Sequence, residues 1–114
     1  MHPPSPEMKV AFPVIFRPYI VAGWKATRAE MREAFGEPHY VETDSTKTFG
    51  GDEDYWAWDL ESGERIAVVL RVPYCQVLAY CDPPNGKRVV EALGLSDRAE
   101  TNEPVLEPTY HGPI

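Results

Sequence analysis

The chain has 114 residues, 43% of them apolar, with three Trp, six Tyr and four Phe, enough for one domain with a core of useful size. Eleven bases against eighteen acids give a net charge of −7, and nine of those acids (Glu37, Glu42, Asp44, Asp52, Glu53, Asp54, Asp59, Glu61, Glu64) fall in one stretch whose single base is Lys47. That balance argues against nucleic acid, whose phosphates need a basic face, and no segment has the length and apolarity of a membrane span.

In chain order, residues 1–11 read as an extended or disordered tail rich in proline. They lack the basic region and apolar run of a secretory signal, so the expected location is the cytoplasm. Phe12 to Ile20 is apolar but broken by Pro13 and Pro18, which allows at best an edge strand. Thr27 with Glu30 three residues on reads as a capping box; Met31, Ala34 and Phe35 then share one helical face, and Gly36 and Pro38 end the element. The spacing predicts a helix over Arg28–Phe35. Arg28 and Arg32, four apart and away from Met31 and Phe35, read as a solvated face.

His39 to Thr43 fits a strand, and Asp44 to Asp54, with Gly50-Gly51 and many small polar residues, fits a loop. Tyr55 to Leu60 alternates: Trp56, Trp58 and Leu60 on one face, Tyr55, Ala57 and Asp59 on the other. Glu61-Ser62-Gly63 makes a tight hairpin into a strand whose Ile66, Val68 and Leu70 face the core. Val72-Pro73-Tyr74 ends it, and Cys75 to Tyr80 forms the next strand. On one strand, Cys75 and Cys81 stand about 20 Å apart, too far for a disulfide. Asp82 to Gly86 breaks the chain, Lys87 to Leu93 makes two helical turns closed by Gly94, and residues 96–114 form a second extended tail.

The sum is an α+β domain over residues 12–95: an antiparallel meander of three to five strands, with one helix before and one short helix after packed on one face. Water is expected on the other face. The two Trp read as core rather than as a ligand platform.

Chemistry is harder to find. The carboxylates around Gly50-Gly51 do not match the spacing of a calcium loop, and Phe49-Gly50-Gly51-Asp52 lacks the Lys-Ser/Thr of a P-loop. No metal or cofactor site is expected. Cys75 or Cys81 with His39 and Asp44 are the residue types of a nucleophile, base and orienter, with nothing to place them together. The expected partner surface is therefore the acidic one: Asp44, Asp52, Glu53, Asp54, Asp59, Glu61 and Glu64, with Phe49 and Tyr55 as apolar anchors. It would dock on a basic protein. Charge reversal at Asp52, Glu53 and Asp54 is expected to weaken binding and leave the fold intact. Alternatives are a small enzyme or ligand-binding protein with a pocket between sheet and first helix, and an oligomeric structural domain. Monomer and homodimer are both open.

The block from Thr27 to Pro38, followed by Tyr55-Trp56-Ala57-Trp58 and a hairpin, resembles the helix-then-meander unit of the beta-lactamase-inhibitor-protein-like group. Its relatives include outer-membrane assembly lipoproteins. In these a helix ending Phe/Leu-Gly-x-Pro precedes strands that pack aromatics on it. The likeness spans roughly Lys25 to Leu70, and the chain departs from the lipoproteins in having no lipidated cysteine near its start. In type, a small acidic α+β chain without catalytic motifs is similar to bacterial immunity proteins and phage-encoded inhibitors. Both likenesses imply protein binding, with a toxin as one such basic partner.

Overall fold

The structure is a computed structural model that describes residues 1–4, 9–10, 19–45, 51–96 and 99–106; only the backbone is described for 9–10, 19, 44–45 and 102–106. Strands β1 (Lys9–Val10) and β2 (Tyr19–Lys25) precede helix α1 (Arg28–Phe35). Then come β3 (Tyr40–Ser45), β4 (Gly51–Asp59), β5 (Arg65–Arg71), a 3-10 turn (Val72–Tyr74), β6 (Gln76–Asp82), helix α2 (Gly86–Leu93) and β7 (Glu100–Leu106). The fold is α+β. Its antiparallel sheet runs β1-β4-β5-β6-β2-β7, with β3 paired to β4 along the same edge as β1. No helix among the described residues is long and apolar enough to cross a membrane.

Local chemistry sets the helix ends. Thr27 caps α1 in a full capping box with Glu30, and Gly36 closes it at φ 79°, a conformation glycine adopts without a Cβ clash. Asn85 caps α2 by accepting the Arg88 N–H, and Gly94 ends it in the left-handed region. Met31 and Phe35 of α1 and Val89 and Leu93 of α2 are buried on one face of the sheet. There they meet Trp56, Trp58, Ile66, Val68, Leu70, Val77, Ala79 and Cys81. Phe35 lies 5.9 Å from the Trp56 ring and 5.5 Å from that of Trp58, and the Trp56 indole N–H donates to the Gly36 carbonyl at 3.1 Å. Each such large side chain contributes roughly 1.5–3 kcal/mol of burial. The sequence therefore places both helices, the β4-β5-β6 meander and this face in outline; Cys75, expected to open the last of these strands, instead caps the 3-10 turn in the left-handed region, and β6 runs from Gln76 to Asp82.

Three differences follow from pairing between distant residues. The predicted loop Asp44–Asp54 is partly strand: β3 runs to Ser45, and β4 begins at Gly51 because Glu53 and Asp54 pair with Arg71 and Leu70. Both predicted tails contribute strands, β1 and β7. Tyr19 and Ile20, expected in an edge strand, belong to β2, which lies between β6 and β7; Phe12 to Pro18 lie outside the described residues. In β2 a bulge between Ile20 and Ala22 turns both Val21 and Ala22 into the helix-side core.

The expectation of a wet second face is corrected. Tyr55, Ala57, Ala67, Val69 and Tyr80 are buried there, with Ile20, Tyr40 and Leu78 packed against them. Across β4, β5 and β6 the sheet is thus apolar on both sides, while Lys25 and Glu100 on the second face stay exposed.

Candidate functional site

The acidic stretch is the natural place to begin, and its side chains are mostly engaged within the protein. Asp54 stands in phase with Trp56 and Trp58, so it points at α1. Its side chain is 0% exposed. Arg28 grips it with two hydrogen bonds of 2.8 and 2.7 Å, and Arg32 adds a third at 3.4 Å. Burial pushes the Asp54 carboxyl up, but the two guanidinium groups outweigh burial and hold it below the usual carboxylate range. The bond to Asp54 raises the pKa of Arg28 in turn.

The same pattern repeats across the sheet. Arg28 also reaches Asp52 at 3.6 Å, and Arg32 reaches Glu37 at 3.3 Å. Arg65 pairs with its cross-strand neighbour Asp59 at 2.6 Å, and Arg71 with its neighbour Glu53 at 3.8 Å. Arg88 of α2 bonds Glu64 at 2.9 Å, and the Ser62 hydroxyl and that guanidinium together lower the Glu64 pKa. Every arginine among the described residues is thus paired, and each pairs with at least one acid from the stretch.

The site expectations change accordingly. Tyr55, expected as an outward anchor, is 2% exposed, and its hydroxyl donates to Glu53 at 3.0 Å; Glu53 itself is buried. Asp52, Asp59 and Glu64 sit at the surface in ion pairs, and Glu61 is exposed at the hairpin tip. Glu42 accepts the Tyr40 hydroxyl at 2.6 Å, a bond that raises the tyrosine pKa. Of Asp44 only the backbone is described, and Phe49 lies outside the described residues. Reversing Asp52, Glu53 and Asp54 would set positive charge against Arg28, Arg32 and Arg71, so the expectation of an intact fold is corrected. Breaking a buried pair costs about 3–5 kcal/mol.

Arg28 and Arg32 are where sequence reasoning fell short. The signal was present: had the strand been extended one residue back from Tyr55, alternation would have put Asp54 on the helix side, opposite two arginines one turn apart.

The residues of the nucleophilic reading are not brought together. His39 enters β3, and three strand spacings, about 14 Å, separate that edge from β6 and both cysteines. His39 Nδ1 instead accepts the Ala57 backbone N–H at 2.9 Å, while its ring meets Trp58 edge-on at 5.7 Å. Burial lowers its pKa. Burial likewise pushes the Cys81 thiol up to about 11. Among the described residues no three His, Cys, Asp or Glu side chains are arranged to hold a metal ion.

A different surface stands out at the β5–β6 turn. Tyr74 is 54% exposed, the most exposed large apolar side chain described. The turn that carries it is held on several sides. Pro73 fixes φ, Cys75 sits in the left-handed region at φ 49° with its N–H on the Val72 carbonyl, and the Ala26 N–H donates to the Cys75 carbonyl at 3.0 Å. The Lys25 ammonium reaches the Tyr74 carbonyl at 3.5 Å. Nothing in composition or periodicity singled out this tyrosine.

Comparison with known proteins adds no relative: no family model, no curated protein and no solved structure matches the chain.

Proposed function

We propose that the chain is a non-enzymatic protein-binding module of the immunity or inhibitor type, acting on a basic partner protein. The observation that carries this reading is Tyr74, a large aromatic held out on a turn with a fixed backbone. Tyrosine is enriched among interface hot spots because it offers much contact area for little conformational entropy, and a fixed turn lowers the ordering cost further. The net charge of −7 supplies long-range attraction. Internal ion pairs redistribute that charge without cancelling it, so a cationic partner is still steered. In this reading the paired acids are not the contact surface. Steering comes from the whole molecule and affinity from the turn.

The test begins with a partner captured from the native host and purified. Its association rate should fall about tenfold or more between low and high salt. Tyr74→Ala should speed dissociation about tenfold, equivalent to about 1.4 kcal/mol, with an unchanged melting temperature. A salt-independent association rate, or wild-type dissociation in Tyr74→Ala, contradicts the reading.

A further inference from the structure

Helix α2 starts on an Asn-Gly step, and the fold has a separate use for each residue. The chain has two asparagines, Asn85 and Asn102, of which Asn85 alone precedes a glycine. Gly86 supplies space: a Cβ there would lie 2.7 Å from the Val21 carbonyl oxygen and 3.2 Å from the Thr101 Cβ, because the first turn of α2 rests on β2 and β7. Asn85 supplies the cap. Its Oδ1 accepts the Arg88 N–H at 3.1 Å, and its carbonyl oxygen accepts the Val89 N–H at 3.3 Å.

The same two residues carry a reaction. Glycine offers no side chain to hinder its own backbone nitrogen, so that nitrogen can attack the side-chain amide of a preceding asparagine. Here the Gly86 nitrogen would bond to Cγ of Asn85 and close a five-membered imide. The Gly86 N–H proton passes to solvent base, and the side-chain nitrogen takes a proton from water and leaves as ammonia. Water then adds to either ring carbonyl and breaks its bond to the Gly86 nitrogen, giving isoaspartate or aspartate. The net change is one water consumed and one ammonia released, with no oxidation or reduction.

The folded conformation holds off the first step. Ring closure needs the Gly86 nitrogen eclipsed with Cβ across the Asn85 Cα–C bond. At φ −160° and ψ 96° that nitrogen is turned almost to the opposite side, and the cap bond ties the side chain to Arg88. Asn85 is nonetheless exposed, so water reaches it at once when the turn opens. With eight residues, α2 is too short to persist away from the sheet.

We propose that Asn85 is a deamidation site gated by the opening of α2. While the cap stands, the amide survives; each opening of the first turn exposes it to cyclisation. Aspartate restores the cap, with its charge favoured at a helix N-terminus. Isoaspartate does not, because the chain then runs through the side-chain carbon and the carbonyl that received the Val89 N–H has become a free carboxylate. A transient opening is thereby recorded as a permanent change at the start of α2. The site goes beyond the protein-binding reading and does not depend on it.

The test is incubation of the full chain at pH 8, native and unfolded in guanidinium chloride, followed by peptide mass spectrometry that resolves aspartate from isoaspartate at position 85. The unfolded chain should gain the two products about tenfold faster or more. Two matched variants separate opening of α2 from general loosening: Glu91→Gly and Glu33→Gly each place glycine at an exposed sixth position of an eight-residue helix, in α2 and α1 respectively. Glu91→Gly should speed the native reaction about threefold, and Glu33→Gly should leave it unchanged. Equal rates in native and unfolded chains, or a Glu91→Gly rate no faster than that of Glu33→Gly, would overturn the proposal.

Discussion

His39 and Cys81 show how burial changes a single group. His39 accepts the Ala57 N–H through Nδ1, which only the neutral ring can do. Its pKa is lowered in the folded chain, so between that value and 6.5 the unfolded chain binds the extra proton. Stability from this group is therefore complete above pH 6.5 and is lost as pH falls below it. Urea unfolding from pH 7.5 to 5 should show stability declining toward acid. The decline should shrink in His39→Gln, whose side-chain carbonyl can replace the ring nitrogen without titrating. Equal pH slopes in the two proteins would contradict the assignment. Cys81, buried with its thiol pushed up to about 11, should resist alkylation at pH 8 while the half-buried Cys75 reacts. Mass spectrometry should count one modified thiol in the native protein and two in urea; two in the native protein would contradict the burial.

Helix α1 owes its position to three separate devices: a capping box at Thr27, an aromatic seat of Phe35 on Trp56 and Trp58, and the arginine grip on Asp54. Thr27→Ala removes the first and should cost about 1 kcal/mol in thermal or urea unfolding. A loss near zero would mean that packing and the ion pairs alone set the helix start. The first two devices were legible in the sequence because they use residues close together or in strict alternation. The third was not, since Arg28 and Asp54 are 26 residues apart and meet only once the sheet forms. The same reason hid β2 and β7. Tyr19 and Ile20 read as the end of a broken edge strand and the residues from Val21 to Trp24 as leading into the helix, while Glu100–Leu106, with Pro104 inside it, reads as a tail. Their strand character comes from mutual pairing across most of the chain, and an edge strand tolerates a proline that an interior one would not.

At the scale of the whole molecule, charge and fold are two views of one arrangement. While α2 packs on β7, β2 and β6, the acidic stretch passes through β3, β4 and the hairpin that leads into β5. Its counter-charges arrive from either side: Arg28 and Arg32 from α1, Arg65 and Arg71 from β5, Arg88 from α2. A concentration of negative charge that reads in the sequence as a docking surface thus serves first as the partner set for five arginines. Exposed pairs such as Arg32 with Glu37 contribute little, whereas the Asp54 cluster, with its carboxylate shut away from water, couples helix to sheet.

That coupling is measurable by a double-mutant cycle in urea with Asp54→Asn, Arg28→Gln and the double variant. Asp54→Asn alone should cost about 3 kcal/mol, and the two changes together should cost less than their sum by about 1 kcal/mol or more. Strictly additive losses, or an Asp54→Asn protein as stable as the parent, would contradict the view that these acids are held inward by the protein's own arginines.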